Sequence, residues 1–260
     1  MSIKGINFID IETVSGNITE EKIKLFALKF QKEISEMIVE ISRGKSADEL
    51  LQSFFVQNEG LDDISRKISV DATLDVFKNK SALYAEFGQI ICICIGRLSK
   101  DNNFYVQKIT GDEKDILLKF YRTVSNYPGV LCAHNGSEFD FPYLMRKYMM
   151  HSLPMPSELS VIGKKPWDVP QEDTMKMWGG TAWNYKISLE LLCHSLGVPS
   201  PKDALSGKMV GEFYAEAEDK KEAVNQIADY CAGDVIAMMN CYCRMKGFEA
   251  PAKGSIIVFE

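Results

Sequence analysis

Asp10 and Glu12 stand two apart in Phe8-Ile9-Asp10-Ile11-Glu12-Thr13, at the end of a short β-branched run. A strand's period of two puts both carboxylates on one face and Ile9 and Ile11 on the other. Two adjacent carboxylates repel, burial raises that cost, and a divalent cation between them removes it. Alone, Asp-x-Glu is a weak motif. Asp140 ends Ala133-His134-Asn135-Gly136-Ser137-Glu138-Phe139-Asp140, after an apolar strand and at a predicted helix start. By itself it reads first as an N-cap aspartate and second as a ligand. Tyr230 and Asp234 are four apart, so they share one helix face. Asp is mildly unfavourable inside a helix. Here Val235, Ile236, Ala237, Met238 and Met239 follow it, which suits a half-buried carboxylate. The plain alternative is an exposed aspartate beside a core tyrosine.

The elements that must position these residues follow from periodicity. Ile6 to Ile11 form a short buried strand. From Asn17 the pattern turns helical, with Asn17 and Glu20 as a capping box. Ile23, Phe26, Phe30, Ile34, Met37, Ile38 and Ile41 recur at helical spacing up to a stop at Gly44. Ser46 and Glu49 offer a second box before Leu50, Leu51 and Phe54, and a polar helix runs from about 62 to 80. Residues 17–80 thus read as a helical insertion between strands. Gly88 to Leu98 is a nearly continuous β-branched run, as expected of a strand buried on both faces. Phe104 to Ile109 is its hairpin partner. Asp112 caps a helix through Val124. Val130 to Ala133 is a strand, and a helix runs from 140 to about 150. Residues 151–187 are irregular. Ser188 opens a helix stopped by Gly197, and the last long helix covers about 220–246. This is a mixed α/β layout with helices flanking one sheet, expected to be a single domain over 1–260.

Composition bounds the remaining possibilities. With 46% apolar and 25% charged residues, 18 Gly and 9 Pro, the chain is neither collagenous, disordered nor a coiled coil. No apolar run reaches the roughly 20 residues of a membrane helix. The N-terminus lacks a signal-peptide pattern, so a cytoplasmic location is expected. Seven cysteines, most in apolar runs and none at C-x2-4-C spacing, read as reduced core residues. The net charge of −6 argues against nucleic-acid binding by bulk positive charge. It permits local binding through metal ions.

The order of the motifs carries more than any one of them. Asp-x-Glu on a first strand, Asn-x-x-x-Phe-Asp after a strand and Tyr-x-x-x-Asp on a late helix resemble the DEDDy 3′–5′ exonucleases. These belong to the ribonuclease H-like superfamily, which includes the proofreading domains of DNA polymerases. Ala85 to Gly96, Gly163 to Pro170 with Asp173-Thr174-Met175, and Gly197 to Lys202 narrow the match. They resemble a stand-alone bacterial family related to the exonuclease domain of family B DNA polymerases. The likeness covers about 5–247, least clearly over 17–80. It implies a ribonuclease H-like α/β fold: a mixed central sheet flanked by helices, with a helical insertion after the first strand.

The resemblance also implies two Mg²⁺ or Mn²⁺ ions held by Asp10, Glu12, Asp140 and Asp234, since an all-oxygen set suits those ions. Tyr230 would orient the attacking water or help accept its proton; a free phenol pKa of about 10 favours orientation. Water would cleave the terminal phosphodiester of DNA, single-stranded 3′ ends first, and release nucleoside 5′-monophosphates. Asn135 would bond the substrate near the scissile phosphate; it reads equally as a turn residue before Gly136. Thr13 would contact the terminal nucleotide, and Phe139 would stack on a base or pack in the core. His134 is read as structural, and Asp173 as a turn or supporting residue. Lys164, Lys165 and Trp167 lie in a segment of interleaved basic and aromatic residues that suits single-stranded nucleic acid; packing of a long loop is the alternative. The same chemistry on RNA, or a non-catalytic nucleic-acid-binding or scaffold protein on this fold, are the competing readings. A separate protein partner would be needed for any proofreading role.

Overall fold

A computed structural model describes residues 3–17, 19–42, 63–161, 163–165, 168–182, 184–200 and 209–260. The chain divides into two compact units, one of Met1–Thr13 with Ile90–Glu260 and the other of Val14–Gln89. Six strands form one sheet: β1 (Ile6–Ser15), β2 (Gly88–Leu98), β3 (Phe104–Thr110), β4 (Val130–Ala133), β5 (Gln171–Asp173) and β6 (Ile256–Phe259). Their order is β5-β4-β1-β2-β3-β6. β1 with β4, β4 with β5 and β3 with β6 are parallel; β2 with β3 is antiparallel. This is the expected mixed α/β layout, one central sheet with helices.

In the first unit, α4 (Glu113–Asn126), α5 (Asp140–Met150), α6 (Thr174–Gly179), α7 (Leu189–Leu196), α8 (Val210–Glu216) and α9 (Lys220–Lys246) accompany the sheet. The period of two in β1 decides which helix each face meets. Phe8 packs edge-on against Tyr242 of α9, ring centroids 5.3 Å apart. The side chain of Asn7, on the opposite face, donates to the Tyr127 carbonyl at the end of α4 (2.9 Å). Gly96 lets α9 come close to β2. A Cβ there would lie 2.7 Å from Val235, the residue after Asp234.

The second unit holds α1 (Glu20–Lys29), α2 (Gln31–Ser42) and α3 (Asp63–Lys80). Phe26, Phe30, Ile34, Ile38, Val76, Phe77 and Phe87 form its own apolar cluster. The expected first helix is here two. Phe30 leaves helical geometry at φ −109°, ψ 29°, and the cap of α1 is Thr19, whose side chain accepts from Lys22 N–H; Asn17 is not the cap. The Gly44 stop and the Ser46–Glu49 box lie outside the described residues.

β1 runs to Ser15, four residues past its expected end at Ile11; the other expected boundaries agree within a residue or two. Asp112 occupies the N-cap of α4 without a side-chain cap bond, whereas Ser188 caps α7 by accepting from Leu191 N–H. β5, α6, α8 and β6 have no counterpart in the sequence reading. All seven cysteines are free and buried. No described helix is long and apolar enough to cross a membrane.

Candidate functional site

β1 delivers Asp10 and Glu12 to the face that α9 covers, and α9 delivers Tyr230 and Asp234 to the same place. One carboxylate oxygen from each of Asp10, Glu12 and Asp234 lies within 4.8 Å of the other two. Ile9 and Ile11, on the other face, are buried. Asp140 lies outside that 4.8 Å group. It does not cap α5 either: Phe139 holds the cap position, and Asp140 is the buried first residue of the helix. Its carboxylate accepts the Ile11 N–H, which ties α5 to β1 between the other two acids.

The electrostatics are those of crowded, sequestered negative charge. Burial raises the Asp10 carboxyl well above its ordinary range, and Glu12, Asp234 and Asp140 raise it further. Glu12 is raised by burial, then by Cys92, Asp234 and Asp140. Burial lifts Asp140 to about 7, with a further push from Asp173. Asp10 Oδ2 and Asp140 Oδ1 are buried and have no hydrogen-bond partner among the described residues. Buried polar atoms are normally paired, so two orphan carboxylate oxygens here mark a place for positive charge. The donor set is all oxygen and fits a hard divalent cation. Tyr230 donates its phenol proton to Asp234. Burial and that carboxylate push its pKa up, so it stays a phenol at neutral pH.

The loop between β4 and α5 is held by several polar contacts. Asn135 adopts φ +64°, consistent with the turn reading, and its amide oxygen accepts from Lys186 Nζ at 2.9 Å. Lys186 also pairs with Glu138. Gly136 is required by space, since a Cβ there would lie 2.4 Å from that of Ala133. His134 is 2.9 Å from both the Thr174 hydroxyl and the Ile187 carbonyl. A carbonyl only accepts, so Nε2 carries the proton. Burial lowers the ring's pKa, so His134 is a neutral structural link. Phe139 is half-buried and packs on Tyr143, centroids 5.4 Å apart. Thr13 is buried beside Glu12. Lys164 and Lys165 are exposed, and Trp167 lies outside the described residues. Lys186, at the Asn135 amide, was visible in the sequence only as one basic residue among the segment's aromatics. Its reach back to Asn135 is a tertiary fact.

A family profile described as a predicted 3′–5′ exonuclease related to the exonuclease domain of PolB matches residues 81–254. The matched span begins after Asp10 and Glu12. No curated protein matches the sequence. Among solved structures, the chain is similar to the family B DNA polymerase from the hyperthermophilic archaeon Pyrobaculum calidifontis. The identity is 12% and the TM-score 0.46, over 90% of this chain and 24% of that one. The chain therefore spans about a quarter of that polymerase.

Proposed function

The chain belongs to this family of predicted 3′–5′ exonucleases related to the exonuclease domain of PolB, and from that premise we propose that it trims single-stranded DNA from the 3′ end, releasing nucleoside 5′-monophosphates. The observation that carries the reading is the cluster of Asp10, Glu12 and Asp234 with its orphan oxygens. Asp10, Glu12, Asp234 and Asp140 would hold two Mg²⁺ or Mn²⁺ ions. When bound, such ions supply charge stabilisation at the phosphodiester oxygens.

The chain's own residues do the positioning. Tyr230, held as a phenol by its bond to Asp234, has oxygen lone pairs free to accept from a water aimed at phosphorus. It orients that water and does not deprotonate it. Attack forms the new P–O bond and breaks the bond to the 3′ oxygen; the water's proton passes to bulk solvent, and the departing 3′ oxygen takes one up from it. Asn135 and Thr13 would fix the terminal nucleotide, with Phe139 beside it. Lys164 and Lys165 would follow the strand electrostatically. The whole chain is taken as one functional domain carrying the 17–80 insertion.

The test is degradation of 5′-labelled single-stranded DNA and a matched RNA, in Mn²⁺ and in Mg²⁺, beside Asp10→Ala and Asp234→Ala. A ladder shortening from the 3′ end only with metal, and lost in both variants, is the expected result. Shortening of RNA alone would move the substrate to RNA. Intact substrates throughout, or activity surviving in both variants, would refute the reading.

A further inference from the structure

The carboxylate of Asp173 is buried, with only 4% of the residue exposed, and takes no part in the acidic cluster. Parallel pairing sets Ala133, the last residue of β4, beside Asp173, the last of β5. The loop leaving one strand and the helix leaving the other therefore start at the same level. Asp173 bonds to both. Its Oδ1 accepts the N–H groups of Met175 (2.9 Å) and Lys176 (3.3 Å), capping α6. The same atom accepts Asn135 N–H at 3.1 Å, and Oδ2 accepts Ser137 N–H at 3.0 Å. A helix cap needs only the first two bonds. The other two bracket Gly136 and hold Asn135 in its left-handed conformation, five residues before Asp140.

We propose that Asp173 is a positioning residue of the exonuclease site: its two oxygens, through Asn135 N–H and Ser137 N–H, clamp the 135–137 turn so that Asn135 meets the substrate in one geometry. This rests on the exonuclease reading above. Displacing a positioning group by about 1 Å can cost on the order of 100-fold in rate, so the clamp is a contribution to turnover distinct from folding.

The two duties of the carboxylate are separable. In Asp173→Ser the hydroxyl can still cap α6, but one short acceptor cannot also reach Ser137. In Asp173→Ala both duties are lost. Hydrogen–deuterium exchange of the full-length chain reads the clamp directly. Asp173→Ser should speed exchange at Asn135 and Ser137 by about tenfold or more, as expected when a protecting acceptor is removed, and leave residues 174–179 as in the wild type. On 5′-labelled single-stranded DNA with Mn²⁺, kcat of Asp173→Ser should fall by roughly 10- to 100-fold with KM little changed. A residue that only caps a helix would give the opposite: Ser would restore what Ala loses, in melting temperature and in kcat alike. Wild-type exchange at 135 and 137 in Asp173→Ser would overturn the proposal, as would a loosened turn with wild-type kcat. The exchange arm needs no activity. A wild-type protein inert on every substrate would thus count against the exonuclease reading, while exchange still decides whether the clamp exists.

Discussion

Two sets of largely buried acids in the same unit have opposite surroundings. Glu113 accepts from Ile90 N–H at 2.7 Å, pairs with Lys147 at 3.0 Å and meets His151 at 2.8 Å. Asp173 accepts four backbone N–H groups. Asp10 and Asp140, by contrast, each keep a buried oxygen with no hydrogen-bond partner among the described residues, and they face other acids. Folding has satisfied the first set and left the second in debt to a ligand. Glu172 Oε2 is also buried without a partner among the described residues, so what sets Asp10 and Asp140 apart is an unpartnered oxygen together with neighbouring acids.

The contrast is broken most strongly by one substitution in each set. Asp10→Asn should cut metal-dependent trimming on the order of 10²–10³-fold, the scale of removing one group that stabilises transition-state charge. In EDTA the same change should raise the melting temperature, because it removes a repelling charge. A lower melting temperature in EDTA would refute the frustrated-cluster account.

Glu113→Ala should do the reverse, because it removes the carboxylate that pairs with the buried Lys147. A loss of about 3–5 kcal/mol is expected for breaking a buried pair, read from urea unfolding; a loss below about 1 kcal/mol would place the pair with surface bridges.

Metal addition sharpens the comparison. Mn²⁺ at about a hundred times its dissociation constant should stabilise the wild type by about 2.7 kcal/mol. Asp234→Ala should not respond, while Glu113→Ala should respond in full. Equal shifts in Asp234→Ala and wild type would move the ion elsewhere.

The smallest effect is on pH dependence. In EDTA, Asp140 with its pKa raised to about 7 contributes stability that is fully present below its ordinary value of 3.8. That contribution is lost as pH rises through about 7. Asp10 and Glu12, also raised, act in the same direction. Urea midpoints should therefore drift down between pH 5 and pH 8 in EDTA, and flatten in Mn²⁺. A rise over that interval in EDTA would contradict the assignment.

Much of this was legible before any coordinates. Gly88–Leu98, Val130–Ala133 and Lys220–Lys246 have continuous patterns that local propensity settles. β5 was not legible, because Gln171-Glu172-Asp173 has poor strand propensity and is a strand only through pairing with β4. The break at Phe30 was hidden because its apolar period runs through the bend. Asp140 looked like a cap, and only its bond to Ile11 N–H shows what its carboxylate faces.

Sequence by itself determined which side chains share a face: Asp10 with Glu12 by the strand period, and Tyr230 with Asp234 by the helical one. Those relations are local and follow from backbone geometry. The tertiary structure alone decided that the two faces meet, that Asp10 and Asp140 keep unpartnered oxygens, and that Asp173 spends its own on the Asn135 turn. Partnering is a property of every neighbour at once, and those neighbours come from segments far apart in the chain.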